Sequence, residues 1–177
     1  MMAEQNMQEF IKVLSSKAAV PGGGGACAYV AAAGMALGAM VANLTTGKKK
    51  YAQYQEEIEE LLSKTEQLSK ELMTYMDKDA ESFEPLSKAY GLPKDTKEQQ
   101  EYKDVVMEKA LKEASLTPVA LMEKILEALK ILERLSVVGS RLAISDVGAG
   151  VQLCKAALNG ASLNVFINTK LMKDTET

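Results

Sequence analysis

From Tyr54 to Asp79 the chain repeats a spacing that few folds can use. Tyr54, Ile58, Leu61, Thr65, Leu68, Leu72, Tyr75 and Asp79 follow one another at alternating steps of four and three. Such steps gather side chains on one side of an α-helix, whereas a strand needs steps of two. The stripe continues through Phe83 and Leu86 and predicts a helix from about Lys48 to Tyr90 that packs along one seam. No part of the 177 residues shows sustained alternation of apolar and polar side chains. The expected class is therefore all-α, an up-and-down helical bundle with two long helices in one domain, 1–177.

The other helices follow from punctuation. A short amphipathic helix is expected from Ala3 to Ser15, before Pro21 and the run Gly22 to Gly25. A second should run from Ala26 to Leu44 and end at Thr45-Thr46-Gly47. Gly91-Leu92-Pro93 breaks the long helix, and a fourth should cover Thr96 to Ala114. Thr117-Pro118 looks like a cap followed by a first-turn proline, starting a fifth helix that reaches Val138. Gly139 to Ile144 should connect, with Ser145 capping a last long helix to Met172 and Asp146 in its first turn. In the second helix, Ala26, Val30, Gly34, Gly38 and Ala42 recur every four residues. That ridge of small residues reads as a close approach of another helix.

Composition narrows the chemistry. Histidine is absent, which excludes imidazole acid/base catalysis, a His-activated nucleophile and His-ligated metal. Two Cys, Cys27 and Cys154, lie among apolar residues and are expected to be buried free thiols. They cannot make a zinc site alone, so no metal is expected. A net charge of -3 gives no reason to expect nucleic acid. The apolar stretch Ala26 to Val41 is short for a bilayer span and reads as a buried helix, and no secretory leader is evident. A cytoplasmic protein without membrane partners is expected.

Polar groups interrupt two apolar stripes. Asp79 falls on the seam of the long helix, where an unpartnered carboxylate is costly to bury. Either it reaches a wet cleft or end of the bundle, or it has partners, and both situations shift its pKa. In the last helix the stripe Val147, Val151, Cys154, Leu158, Ala161, Val165, Asn168 and Met172 is interrupted by the polar Asn168. A neighbouring line of small and polar residues includes Asp146, Gly150, Gly160, Asn164 and Asn168. Such a face suits either a flat hydrogen-bonding ring or another helix. Gly22, Gly23 and Gly24 precede a helix N-terminus, whose free N–H groups attract anions or carbonyl oxygens. Neither a Walker loop nor a dinucleotide fingerprint is present. Lys48, Lys49 and Lys50 begin a helix, where they oppose the macrodipole, so an anionic ligand is one reason for the cluster.

Taken in order, these motifs resemble one family. Pro21-Gly22-Gly23-Gly24 precedes an Ala/Gly helix ending Met40-Val41-Ala42-Asn43-Leu44-Thr45, followed by Gly47-Lys48-Lys49-Lys50-Tyr51. Then come Asp79-Ala80-Glu81-Ser82-Phe83, Leu92-Pro93-Lys94, Thr117-Pro118-Val119, Ser145-Asp146-Val147-Gly148 and Asn164-Val165-Phe166-Ile167-Asn168. The set resembles the cyclodeaminase/cyclohydrolase family of folate enzymes over essentially the whole chain. One departure is Gly25, where the family pattern usually has Ser. The resemblance implies a helical homodimer acting on one-carbon tetrahydrofolates, with no cofactor beyond that substrate. One expected reaction closes N5-formimino-tetrahydrofolate to the methenyl form with loss of ammonia. The other hydrolyses methenyl-tetrahydrofolate to N10-formyl-tetrahydrofolate. It implies Asp79 and Asp146 as catalytic carboxylates. Gly22, Gly23, Gly24, Asn43, Thr45, Lys48, Lys49, Asn164 and Asn168 are the implied substrate contacts, the lysines for the glutamate tail. The alternative is a non-catalytic folate-binding or helical scaffold protein of the same fold.

Overall fold

A computed structural model describes residues 1–4 and 6–174. Its order is a 3-10 turn Met2–Glu4, α1 Met7–Leu14, α2 Gly23–Thr45, a 3-10 turn Lys49–Tyr54, α3 Gln55–Tyr90, α4 Lys97–Val138, a 3-10 turn Arg141–Ala143 and α5 Ile144–Thr169. No strand occurs among the described residues. The four longer helices run up and down against one another. The closest associations are α2 with α3 and α5, and α4 with α3 and α5.

The stripe of α3 packs as its spacing requires. Ile58, Leu61, Thr65, Leu68, Leu72 and Tyr75 are all buried. The glycine ridge of α2 also performs its expected task. A Cβ on Gly34 would lie 2.9 Å from the Gly150 carbonyl oxygen and 2.7 Å from Cys154 Sγ. One on Gly38 would lie 3.0 Å from Leu132 Cδ2. The backbones of α2 and α5 therefore meet at Gly34 and Gly150. Gly23 faces Asn164 at the other end of the same pair, so the two helices are antiparallel. Cys154 is buried, its thiol pushed up to about 11 by desolvation, and neither cysteine is in a disulfide.

Several expected boundaries shift, each for a local reason. The expected fourth and fifth helices are one 42-residue helix, α4, which makes α4 rather than α5 the partner of α3 in length. Thr117-Pro118 does not start a helix. A proline inside a helix removes one backbone donor and orphans the carbonyl four residues earlier. The carbonyl four residues before Pro118 belongs to Ala114, and Asn168 Nδ2 donates to it at 3.2 Å. Thr96 does begin α4, through a reciprocal capping box with Gln99. Ser145 is not a cap, because α5 starts one residue earlier at Ile144. Lys48 precedes the 3-10 turn rather than starting α3. α1 begins at Met7, capped by Asn6.

α2 differs from its expected burial. It spans 23 residues with mean hydropathy 1.7, enough to cross a membrane by length and composition, and half of that apolar window is buried in the bundle. It is half-buried rather than fully enclosed.

The apolar interior falls into two clusters. The larger involves α2, α3, α4 and α5 and ends on α3 at Met76, on α4 at Leu121 and on α5 at Ala161. The smaller holds Leu86, Ala89, Ala110, Leu111 and Ala114, with Phe83 and Met172 against it. Between them α2 has already ended, at Gly23. The other three long helices continue past that end, and the space left over is a cleft.

Candidate active site

The cleft has a volume of about 210 Å³ and is lined by Ala19, Val20, Gly22, Gly23, Asp79, Ser82, Phe83, Ala114, Asn164, Ile167 and Asn168. Each wall has a sequence cause. Asp79 is the next member of the α3 stripe after Tyr75, so the packing that buries the stripe carries the carboxylate inward. Ser82 lies three residues on, on the same face. Its hydroxyl donates to the Asp79 carbonyl oxygen at 3.1 Å. Asn164 and Asn168 sit one turn apart on α5. The glycine run closes the cleft from the α2 side.

The centre of the cleft is the half-buried Asp79 carboxylate docked on the first turn of α2. Oδ2 accepts the Gly25 N–H at 2.9 Å. A carboxylate at a helix N-terminus satisfies an otherwise free donor and meets the positive end of the helix dipole. Burial nevertheless dominates. It raises the Asp79 pKa above the ordinary carboxylate value, with the Gly25 hydrogen bond opposing. Such a group holds and releases a proton closer to neutrality than an exposed aspartate does. Cys27 is nearby, half-buried on α2. Desolvation first, and then the negative charge of Asp79, raise its thiol pKa, so it is a poor nucleophile there.

The two asparagines do different work. Asn164 Nδ2 donates to Gly160 O at 3.1 Å within its own helix, and a Cβ on Gly23 would lie 3.5 Å from its Oδ1. That amide spans the gap between α5 and the glycine run. Asn168 is buried and donates one amide hydrogen to Ala114 O. It lines the cleft, and that hydrogen bond ties α5 to α4. Gly25 leaves ordinary contacts for a Cβ: 3.6 Å to Pro21 Cβ and 3.9 Å to Asp79 Oδ2. A serine would fit, and in its absence the Gly25 N–H is the donor on the carboxylate.

The remaining expected residues do not join this cleft within one chain. Thr45 is at the far end of α2, about 32 Å from Gly24 at 1.5 Å per residue. Its buried hydroxyl donates to Val41 O at 2.6 Å and accepts the Ser140 N–H at 2.8 Å. That hydroxyl ties α2 to the α4–α5 connection. Asn43 is exposed and donates to Ala39 O at 3.1 Å. Lys48 Nζ reaches Ser140 Oγ at 3.5 Å, and Lys49 is exposed in the following turn. Asp146 lies in the first turn of α5, about 27 Å along that helix from Asn164. It is not a second carboxylate beside Asp79 in the same chain. Ser82 was not among the expected contacts, although its place three residues after Asp79 was the available signal. Ala114 had none, because it enters the wall only through the packing of α4.

A second, more open groove of about 360 Å³ lies between α3 and α4, lined in part by Lys64, Glu71, Lys124 and Glu127. Lys124 is already paired there with Glu71 and Glu127 at 3.1 Å each. Lys124 is thus neutralised by its own neighbours, and the Asp79 cleft, which holds a half-buried carboxylate, is the better reaction site. No cluster of three or more metal-binding side chains occurs among the described residues.

Comparison with known proteins gives a consistent result. The chain matches the model of a family described as Formiminotransferase-cyclodeaminase over residues 6–177. It is 37% identical over 174 residues to methenyltetrahydrofolate cyclohydrolase of Methylorubrum extorquens, covering 98% of this chain and 84% of that one. It is 33% identical over 165 residues to formimidoyltransferase-cyclodeaminase of Gallus gallus, covering 93% of this chain but 30% of that longer protein. The crystal structure of formiminotetrahydrofolate cyclodeaminase from Thermotoga maritima is 30% identical, with a TM-score of 0.87, covering 99% of this chain and 84% of that one.

Proposed function

Because the chain belongs to the formiminotransferase-cyclodeaminase family, we propose that it is a folate one-carbon enzyme with Asp79 as its proton carrier. It is a methenyltetrahydrofolate cyclohydrolase, a formimidoyltetrahydrofolate cyclodeaminase, or both. The observation that carries the assignment of Asp79 is its half-buried carboxylate, docked on the α2 N-terminus and facing a cleft.

Both reactions fit one carboxylate. In the hydrolysis, water adds to the cationic methenyl carbon while Asp79 takes a water proton. The carbon–N5 bond then breaks as N5 takes that proton from Asp79, the remaining hydroxyl proton leaves to solvent as the C=O forms, and the formyl group stays on N10. In the cyclisation, N10 adds to the carbon of the protonated formimino group, leaving a neutral amino group on that carbon, while Asp79 takes the N10 proton. Returning it to the departing nitrogen releases ammonia and leaves the methenyl cation. The negative charge of Asp79 also stabilises cationic carbon in either direction. Neither route needs a metal or a redox cofactor.

The cleft, at about 210 Å³, holds a fused-ring head rather than a whole folate, since ligand pockets usually measure about 300–1,000 Å³. A homodimer supplies the rest. α2 contains no charged residue and α5 only Asp146 and Lys155. Their outer faces present exposed Ala33, Ala36, Met40, Leu44, Ala156 and Leu163. An uncharged face of this length suits a second copy of the chain. Pairing the α2 helices antiparallel brings the Asn43, Lys48 and Lys49 end of one copy toward the Asp79 end of the other, where the lysines meet a glutamate tail.

Two assays test the activity together: loss of methenyl absorbance, and ammonia release from the formimino substrate. Turnover in either supports the enzyme. Binding of methenyl-tetrahydrofolate by calorimetry with no turnover in both would leave only a folate-binding protein. Mixing Asp79→Asn chains with Lys48→Ala/Lys49→Ala chains should restore activity in part, because one of the two sites in a mixed dimer is intact. No recovery would overturn the shared site.

A further inference from the structure

Gly24 has no conformational reason to be glycine. Among the described residues only Gly47 has a positive φ, so the backbone at Gly24 suits an L residue. It also lies in the first turn of α2, and alanine is the better helix former. The reason is spatial. A Cβ on Gly24 would lie 2.0 Å from Asp79 Oδ1, 2.5 Å from Cγ and 2.8 Å from Oδ2. Its neighbours in the run do not face this constraint. At Gly22 a Cβ meets nothing within 4 Å, at Gly23 its nearest contact is 3.5 Å, and at Gly25 it is 3.6 Å.

We infer that Gly24 is a positioning residue for the reaction: its missing side chain lets the Asp79 carboxylate lie against the first turn of α2 on the Gly25 N–H. The inference rests on the reading of Asp79 as proton carrier. Aspartate has a short side chain, so it can avoid a methyl group only by rotating away from α2. Rotation breaks the bond to Gly25 N–H and re-aims the carboxylate within the cleft. A displacement of this size costs on the order of 100-fold where geometry limits the chemistry. Loss of the N–H donor also removes the one contact that favours the anion, so the carboxylate holds its proton to higher pH.

The test compares Gly24→Ala with Gly148→Ala, a helical glycine of α5 where a Cβ meets nothing within 4 Å. With methenyl-tetrahydrofolate, Gly24→Ala should lower kcat by about tenfold or more, with KM changed far less. The limb of its pH–rate profile set by the carboxylate should move to higher pH. Gly148→Ala should match the parent. Asp79→Ala, with and without Gly24→Ala, keeps the test readable even if the single variant is unstable. Without the carboxylate to collide with, adding Gly24→Ala should leave the Tm unchanged or raise it. An unchanged kcat and pH limb in Gly24→Ala, with Asp79→Asn inactive, would overturn the role of Gly24 alone. Undiminished turnover in Asp79→Asn would overturn the reading of Asp79 and the inference with it.

Discussion

Burial of the Asp79 carboxylate opposes its ionisation. Its folded pKa is raised, so the fold prefers the protonated form. The stability this preference contributes is fully present below the unfolded pKa and is lost as pH rises through the folded one. Ionising the carboxylate as pH rises therefore weighs against the fold. Asp79→Asn keeps an acceptor for the Gly25 N–H and removes the charge. The variant should lose about 10²- to 10⁴-fold in turnover and melt above the parent at pH 7. A chain of this length gains about 2–4 °C per kcal/mol, and the gap should close as pH falls through the acid range. Equal melting at every pH would remove the electrostatic account of this site. Gly25 allows the opposite adjustment. A serine there fits, and its hydroxyl adds a second donor near Oδ2. Gly25→Ser should move the carboxylate limb of the pH–rate profile to lower pH, read by methenyl absorbance, whereas Gly24→Ala moves it upward.

At the scale of elements, α4 shows how a helix passes a proline. Pro118 deprives Ala114 of its intrahelical donor, and Asn168 of α5 supplies one. The two helices are joined at the cleft wall by that substitution of donors. Asn168→Ala leaves a carbonyl unsatisfied and should cost about 1–3 kcal/mol in urea unfolding. Pro118→Ala restores a backbone N–H to Ala114, so in that background Asn168→Ala should cost clearly less. Additive costs in the double-mutant cycle would show that the amide matters for another reason. The same contact explains why Asn168 is visible in the sequence as a polar break in a stripe and still belongs to the framework. The other break, Asp79, has its partner on α2 and faces the cleft.

At the scale of the whole molecule, the proposed function rests on two features: where α2 ends, and what covers its outer face. Because α2 stops at Gly23 while α3, α4 and α5 extend past it, the core divides and a cleft opens between its parts. The outer face of α2 and α5 carries almost no charge, and the proposed dimer covers it. Ala36→Glu/Met40→Glu places two charges on that face without touching the core. The variant should remain helical, sediment as a monomer and lose turnover. A dimeric variant, or a monomeric parent, would rule out this pairing.

The sequence by itself determined the helices and the intruders on them. Period and punctuation located the α3 stripe, the glycine ridge, the break at Gly91 and the start of α4 near Thr96, because these depend on neighbours within a few residues. They also singled out Asp79, since a carboxylate on an apolar seam is a local anomaly. The tertiary structure decided which anomalies meet. Asp79, Gly24 and Asn164 come together only because α2 and α5 are antiparallel and α3 and α5 extend past the end of α2. Thr45, Asn43, Lys48 and Asp146, equally prominent in the sequence, lie some 30 Å away along the same helices. The continuity of α4 through Pro118 was likewise beyond local rules, because the donor that replaces the lost N–H comes from a residue 54 positions away in the chain. Spacing fixes which face a residue occupies, but partners distant in sequence are fixed only by how the faces pack.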